Sequence, residues 1–327
     1  MSLLSLVRSD FLTAPLKISP KATDFAVRGF HRGAYSTQKL LERCASTFVL
    51  GYHTALASST NTMLAGQLES IDQDFRGFAY EGSGMALAFL DFFFPWKKRF
   101  LPFTQEEGSQ YIYLLYVGWG WTMGRLPRKQ IKSTPRTQYD PLLGWLAYDG
   151  FGFHEGFFSW KQTLLRQRRP SALSKGYASH AFDQGLGRSL WFVACGDIPY
   201  IVNLIHSFPP SRQPDLWSGV GLACTYAGGA TTESLQQLRE TAASFYPHLA
   251  QGVAFAVEAR QRAGNLSTHT QLACETICKR SSDHVVSVVA SSLRDLPSSG
   301  DEPAFEIWRQ RIQASLCIPL SSTQIQS

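Results

Sequence analysis

The sequence Phe182-Asp-Gln-Gly-Leu-Gly-Arg-Ser-Leu-Trp-Phe192 contains a glycine pair, Gly185 and Gly187, separated by one residue. The same G-x-G pair occurs at 82/84, 118/120, 150/152 and 219/221, and Gly252 follows with alanine in the second place. Successive first glycines lie 36, 32, 35, 34 and 33 residues apart. A nearly constant period of about 34 residues is typical of helix–turn–helix repeats. The spacing therefore predicts a chain built from helical units.

The residues that follow each first glycine carry a second pattern. The fourth residue after it is small in every unit but one: Ala86, Thr122, His154, Ser189, Ala223 and Ala256. The seventh is mostly aromatic, as in Phe157 and Phe192. Positions 0, 4 and 7 share one face of an α-helix. Because glycine costs about 1 kcal/mol in a helix interior, its repeated use there predicts that another backbone packs closely against this face.

These patterns predict an all-α fold. We expect helical hairpin repeats with a period of about 34 residues, in a curved solenoid or toroid-like stack around an aromatic-lined cavity. An N-terminal helical cap (1–70), a repeat body (71–280) and C-terminal helices with a tail (281–327) would form one integrated domain. Cap and end signals predict individual helices over 197–208, 232–244, 267–279 and 302–315, and an exposed loop over 125–140.

Composition and charge exclude several classes of protein. Lys and Arg exceed Asp and Glu by 31 to 25, a net charge of +6, but charged residues make up only 17% of the chain and aromatic residues 13%. So much aromatic surface excludes a disordered chain, and the modest surplus of cations disfavours a nucleic-acid partner. No apolar run predicts a membrane span or a signal peptide, which favours a cytoplasmic protein. Six scattered cysteines without a C-x-x-C pair predict buried thiols, and we expect no metal and no cofactor.

Two stretches, 118–124 and 150–156, fit the loose dinucleotide-binding pattern G-x-G-x-x-x-G. That mechanism requires a strand immediately before the first glycine and a free helix N-terminus to hold the pyrophosphate. Here the pattern occurs in register with the repeat and follows helix-like sequence. We therefore assign these glycines to helix packing.

The unit that contains Gly150 carries two ionisable residues at places that are small or apolar in the other units. His154 replaces a small residue, and Glu155 replaces an apolar one. A buried structural His–Glu network is one interpretation, and a catalytic or ligand-binding role is the other. Neighbours on a helix point about 100° apart, so each side chain should find its partner on an adjacent inner helix, with Glu81, Asp183 and Arg188 as candidates. In the catalytic interpretation, Glu155→Gln abolishes product formation without unfolding the protein.

The residue before each first glycine is polar in five of six units: Glu81, Val117, Asp149, Gln184, Ser218 and Gln251. These residues either form hydrogen bonds between repeats or line one side of a cavity. The candidate acids and bases are Glu155, His154, Glu81, Asp149 and Asp183. The candidate cavity-binding residues are Trp119, Trp121, Phe151, Phe153, Gln184, Arg188, Trp191, Trp217 and Gln251.

One further motif places aromatic residues next to cations. The stretch Phe92–Phe100 reads F-F-F-P-W-K-K-R-F. It is either a loop that covers the helix layer or a contact with a membrane surface, where aromatic and basic side chains are favoured together.

Several of these stretches also carry a family resemblance. They are R-G-F-A-Y-E-G (76–82), D-G-F-G-F-H-E-G (149–156), F-D-Q-G-L-G-R-S-L-W-F (182–192), L-W-S-G-V-G-L-A-C (216–224), H-L-A-Q-G-V-A-F-A (248–256) and A-R-Q-R-A-G-N (259–265). The chain from Arg76 to about Arg311 resembles a bacterial family known mainly from enediyne antibiotic gene clusters, domain-of-unknown-function family 1702. The resemblance implies secondary metabolism and a cluster-encoded partner in polyene or polyketide maturation. It supplies no catalytic residues.

Two functions from different classes follow. The first is a biosynthetic protein that binds a long apolar polyene or isoprenoid chain, as an acid-catalysed cyclase or isomerase whose aromatic faces stabilise cations. The D-D-x-x-D and D-x-D-D motifs of familiar terpene cyclases do not occur in the sequence. The second is a non-catalytic helical-repeat scaffold that binds a synthase or a tailoring enzyme.

Overall fold

The computed structural model describes residues 16–126, 140–173, 176–298 and 300–317. Fifteen α-helices and no strand occur in these ranges, which confirms the all-α class. The helices are α1 (Phe25–Arg28), α2 (Tyr35–Ala57), α3 (Asn61–Glu69), α4 (Gln73–Phe93), α5 (Phe100–Gln105), α6 (Ile112–Met123), α7 (Trp145–Phe158), α8 (Ala178–Val193), α9 (Ile198–Ser207), α10 (Gln213–Ala227), α11 (Thr232–Ala242), α12 (Tyr246–Arg262), α13 (Thr268–Ala273), α14 (Ser282–Ser292) and α15 (Ala304–Cys317).

A row of longer helices forms the core. Within the described ranges, α2, α4, α6, α7, α8, α10 and α12 each pack on the next in chain order. The shorter helices lie beside this row, as α3 does against α2 and α4. At the C-terminal end, α14 and α15 both pack on α12.

The glycine pairs lie where consecutive helices of the row touch. A Cβ at the first glycine of each pair would come within 1.8 to 2.0 Å of a carbonyl oxygen on the preceding helix, and for Gly185 that oxygen belongs to Asp149. The second glycine faces the following helix, and a Cβ at Gly152 would lie 1.9 Å from the carbonyl oxygen of Phe182. The predicted close approach of a second backbone is confirmed.

The row begins one helix earlier than the glycine pairs suggest. A Cβ at Gly51 in α2 would lie 2.0 Å from the carbonyl oxygen of Ala79 in α4. Gly51 precedes Gly84 by 33 residues and has the place of a second glycine, while Val49 stands in the place of the first. The sequence pattern missed this helix because only one glycine of the pair is present.

The third glycine of each G-x-G-x-x-x-G stretch also serves packing. A Cβ at Gly124 would lie 2.0 Å from His154 Nδ1, and one at Gly156 would lie 1.9 Å from Ser189 Oγ. His154 can therefore occupy a place that is small in other units, because the facing residue is Gly124. This contact supports the assignment of these glycines to helix packing.

The last helix of the row lies beside the second. Arg260 of α12 donates a hydrogen bond of 3.1 Å to the carbonyl oxygen of Asp74 in α4. At the same junction, the Gln73 side chain donates to the carbonyl oxygen of Gly264 at 2.6 Å, and the Asn265 side chain donates to that of Gln73 at 3.1 Å. These contacts join the end of α12 to the start of α4.

The individual helix predictions hold with shifted ends. Asp197 caps α9 as expected and accepts a hydrogen bond from the Tyr200 amide at 2.8 Å. Thr231, rather than Thr232, caps α11. The helix predicted over 267–279 changes geometry after α13, because residues Cys274–Cys278 form a π-helical turn. The predicted loop over 125–140 and the chain ends fall mostly outside the described residues.

Two further observations concern the chain as a whole. All six cysteines are free, and five of them are buried. Among the described helices, none combines the length and apolar character needed to cross a bilayer.

Candidate functional site

Three charged side chains from different helices meet in the interior. Glu81 of α4, Asp149 of α7 and Arg188 of α8 are 1%, 1% and 3% exposed. Arg188 Nη1 donates a hydrogen bond of 2.6 Å to Asp149 Oδ1, whereas Nη2 lies 3.4 Å from Glu81 Oε2. The Arg188 guanidinium thus makes a short contact with Asp149 and a longer one with Glu81.

Burial in this cluster shifts the pKa of Glu81 upward. Burial raises the pKa of Glu81 to about 7, although Arg188 and the Trp121 hydrogen bond oppose the rise and nearby Asp149 adds to it. Burial alone would lower the pKa of Arg188, but Asp149 and Glu81 raise it above its ordinary value. A cation flanked by two carboxylates carries a net negative charge, which one proton neutralises in a dry interior. Glu81, which has the longer contact with Arg188, is the group that takes it.

A cleft with aromatic walls opens beside Glu81, which we call the first cleft. Its free volume is about 30 Å³, and Glu81 supplies its carboxyl group. Its aromatic lining residues are Phe48, Phe78, Trp121, Phe153, Phe157, Phe158 and Phe192. Trp121 Nε1 donates a hydrogen bond of 2.9 Å to Glu81 Oε1 and so fixes the carboxyl group against this wall.

A second cleft lies on the other side of the charged cluster. Its free volume is about 40 Å³, and its lining includes Asp149, Arg188 and Tyr226. Neither the Tyr226 hydroxyl nor Arg188 Nε has a hydrogen-bond partner among the described residues. The walls of this space are mainly apolar, and a water molecule that fits beside its few polar groups would satisfy them.

The polar residues that precede the glycines form a hydrogen-bonded chain between helices. Gln184 Nε2 donates to Asp149 Oδ2 at 2.8 Å. The Ser218 hydroxyl lies 3.1 Å from Gln184 Oε1 and 2.8 Å from Gln251 Oε1, and donates to one of them. Arg309 Nε of α15 donates to Gln251 Oε1 at 3.1 Å. Most of these polar residues therefore form hydrogen bonds between units, and among them Glu81 and Asp149 also line a cleft.

The comparison with known families adds one finding. The chain matches the family model described as protein of unknown function (DUF1702) over residues 6–316, nearly its whole length. The chain belongs to this family. No curated protein and no solved structure matches it.

In this DUF1702 protein, Asp183 stands apart from the central cluster. Its carboxyl group bonds with Arg169 and with Arg212, whose Nη2 lies 2.6 Å from Asp183 Oδ1. Two cations on the far side of α8 hold this carboxylate, so it does not join Glu81. The structure therefore separates Asp183 from the other candidate acids.

His154 and Glu155 bond to each other. His154 Nδ1 lies 3.1 Å from Glu155 Oε1, so the expectation that each would find its partner on an adjacent inner helix is wrong. The His154 ring occupies the space over Gly124, and the Glu155 side chain, 18% exposed, reaches back to it. Burial lowers the pKa of His154 despite the contact with Glu155. Neither residue lines the two clefts.

The remaining candidates divide between the clefts and the packed core. Trp121 and Phe153 line the first cleft, and Arg188 lines the second. Gln184 and Gln251 belong to the hydrogen-bonded chain. Four aromatic candidates line neither cleft: Trp119, Phe151, Trp191 and Trp217. In the part of the chain that the structure describes, no His, Cys, Asp and Glu side chains group in a way that could hold a metal ion.

Sequence reasoning missed Phe48 and Tyr226 as cleft residues. Phe48 precedes Val49 in α2, as Glu81 precedes Gly82 in α4, so the 33-residue offset between Gly51 and Gly84 is the signal that could have found it. The only sequence signal at Tyr226 is its position seven residues after Gly219, where most units have an aromatic residue. This signal does not tell whether the side chain lines a cleft or is packed in the core.

Proposed function

We propose that this protein binds a long apolar, unsaturated chain in the first cleft and donates a proton to it from Glu81. It would act as a cyclase or isomerase of a polyene or isoprenoid in secondary metabolism. One observation carries the proposal: Arg188 bonds Asp149 at 2.6 Å and leaves Glu81 at 3.4 Å, with the Glu81 carboxyl group on an aromatic wall. A carboxyl group whose pKa is tuned toward neutrality by burial suits general acid catalysis.

The proton transfer can be followed atom by atom. Trp121 donates to Glu81 Oε1 at 2.9 Å and Arg188 Nη2 lies 3.4 Å from Oε2, so we place the acidic proton on Oε2, the oxygen with the longer contact. This O–H bond breaks while the π electrons of an alkene form a C–H bond, which leaves a carbocation on the substrate and a carboxylate on Glu81. Arg188 stabilises the carboxylate, and the rings of Trp121 and Phe153 stabilise the cation. Return of a proton from a neighbouring carbon to Glu81 completes an isomerisation without another reactant.

Access to the cleft requires movement of its rim. All the empty space in and around this cleft, including the part that is open to solvent, amounts to about 440 Å³. The N-terminal segment contributes Ile18, Ala22 and Thr23 to the lining, and the amide of Ile18 donates to His53 Nε2 at 3.1 Å. We propose that displacement of this N-terminal segment admits the apolar polyene into the interior of the protein. In this proposal the interior is enclosed by a curved stack of repeats, whose last helix, α12, packs beside α4.

The test compares two Glu→Gln variants in the producing organism. Glu81→Gln should abolish product formation, whereas Glu155→Gln, at the half-buried contact with His154, should retain it. Purified protein should also bind the fluorescent polyene diphenylhexatriene, and Phe153→Ala should alter that binding. Full product formation by a folded Glu81→Gln protein would sink the proposal. Loss of product in Glu155→Gln alone would favour the catalytic interpretation of the His154–Glu155 pair.

The scaffold function remains the second candidate, and the tight packing of the interior favours it. Free volumes of about 30 and 40 Å³ are small beside a polyene chain. A scaffold would bind a synthase or tailoring enzyme stably and would not bind diphenylhexatriene. Extraction of the protein purified from its producer with an organic solvent distinguishes the two, because only a chain-binding protein should release a UV-absorbing polyene.

A further inference from the structure

The end of α4 and the short loop after it expose aromatic and basic side chains together. We call residues 92–98 the aromatic tip. Phe92, Phe93 and Trp96 are 40%, 48% and 79% exposed. Lys97 and Lys98 are exposed next to them. Large exposed apolar side chains that cluster beside cations mark an interaction surface.

The base of this loop is firmly held. The buried Asp91 carboxylate accepts hydrogen bonds from the amides of Arg99 at 2.7 Å and Phe100 at 3.1 Å. Arg99 turns inward, where its guanidinium donates to the Ser58 carbonyl oxygen at 2.7 Å and to Asn61 Oδ1 at 2.9 Å. Asp91, which directly precedes the tip, and Arg99, the third cation of the K-K-R run, thus both fix the base. The exposure of the tip is a property of an anchored loop.

We propose that the aromatic tip docks this protein on an anionic lipid membrane. Tryptophan and phenylalanine rings are favoured at the level of the lipid headgroups, where their apolar faces leave water. The ammonium groups of Lys97 and Lys98 match the negative surface potential of such a membrane. The chain as a whole carries a net charge of +6, which adds attraction at longer range. The proposal is independent of catalysis by Glu81.

Vesicle co-sedimentation tests the docking directly. The full-length protein should bind vesicles of equimolar phosphatidylcholine and phosphatidylglycerol, and bind vesicles of phosphatidylcholine alone much more weakly. Lys97→Gln with Lys98→Gln should weaken binding to the anionic vesicles roughly 30-fold, which corresponds to about 1 kcal/mol for each lysine. Trp96→Ala should weaken binding to both kinds of vesicle, because it removes apolar contact.

Tyr35→Ala is the matched control. Tyr35 is 75% exposed beside Lys39 but stands at the start of α2, about 35 Å along the helix from the Ser58 contact that anchors the tip. This variant should bind vesicles as the wild type does, and all variants should keep the wild-type melting temperature because the changed side chains are exposed. Absence of wild-type binding, or equal loss in Tyr35→Ala, would overturn the proposal. A wild-type dimer that Trp96→Ala dissociates, without vesicle binding, would assign the tip to a second copy of the chain.

Discussion

Arg188 on α8 donates a hydrogen bond of 2.6 Å to Asp149 on α7, and this contact leaves Glu81 on α4 with the weaker share of the same guanidinium. The arrangement makes the two carboxyl groups different, although both are about 1% exposed. Asp149 is the partner of the cation, and Glu81 is the group whose pKa rises to about 7.

The stability of the protein should depend on pH through Glu81. Its pKa lies near 7 in the folded protein and at its ordinary value of 4.5 in the unfolded chain, so the folded state binds a proton more tightly between these values. The stabilisation is complete below about pH 4.5 and is lost as the pH rises through 7. Relative to Glu81→Gln, the wild type should therefore lose about 3 kcal/mol of unfolding free energy over this range. Urea denaturation of both proteins at pH 5 and pH 8 measures the loss, and a constant difference between them would contradict it.

Removal of the shared cation should be severely destabilising. Arg188→Met leaves Asp149 and Glu81 without their buried counter-charge, which costs about 3–5 kcal/mol. The triple variant with Glu81→Gln and Asp149→Asn in addition removes the stranded charges and should recover most of the loss. Denaturation at neutral pH gives both values. A single variant as stable as the triple one would show that the cluster is not a coupled unit.

The glycines of the helix row should tolerate no side chain. Gly185→Ala places a methyl group 1.8 Å from the carbonyl oxygen of Asp149, so the helices must separate, at a cost of about 3 kcal/mol or more. Gly66→Ala in α3 is the matched control, since a Cβ there meets no atom within 4 Å. The control should gain about 0.5–1 kcal/mol from helix propensity. Equal melting temperatures for the two variants would refute the close-packing account.

Gly77 and Tyr226 should behave as a coupled pair. A Cβ at Gly77 would lie 1.8 Å from the Tyr226 hydroxyl oxygen but 3.0 Å from the ring carbon that carries it. Gly77→Ala should thus cost about 1–3 kcal/mol in the wild type and clearly less in Tyr226→Phe. Tyr226→Phe alone should be close to neutral, because the hydroxyl group has no partner among the described residues. A double-mutant cycle with no coupling energy would count against this contact.

The sequence revealed the packing of the row far better than the site. Two helices that pack this closely leave no room for a Cβ atom at the contact. Gly185 and the other glycines of the G-x-G pairs therefore show in the sequence where the helices touch. Gly51 escaped notice because Val49 fills the other place of its pair. Because glycine spacing is visible in the sequence, the all-α fold class and the contacts between consecutive helices were predictable.

The candidate site depends on contacts between residues that are far apart in the sequence, and no local sequence pattern predicts these contacts. The repeat alignment singled out His154 and Glu155 because the other units have small or apolar residues at these places. In the structure, the absence of a side chain at Gly124 leaves room for the His154 ring, so packing alone accommodates this histidine. Glu81 and Arg188 lie 107 residues apart, and only the packing of the folded chain brings α4 and α8 together at this contact. The difference between Asp149 and Glu81 arises from an ångström-scale difference in two distances, which a sequence does not show.

Infrared spectroscopy of the carboxyl groups tests the central claim most directly. A C=O stretching band of a protonated carboxylic acid should be present in the wild type near neutral pH, disappear with a midpoint at about pH 7, and be absent from Glu81→Gln. The same band should persist in Glu155→Gln. A wild-type spectrum in which every carboxyl group is already ionised by pH 5, or a neutral-pH band that survives in Glu81→Gln, would show that Glu81 is not the protonated acid of this protein.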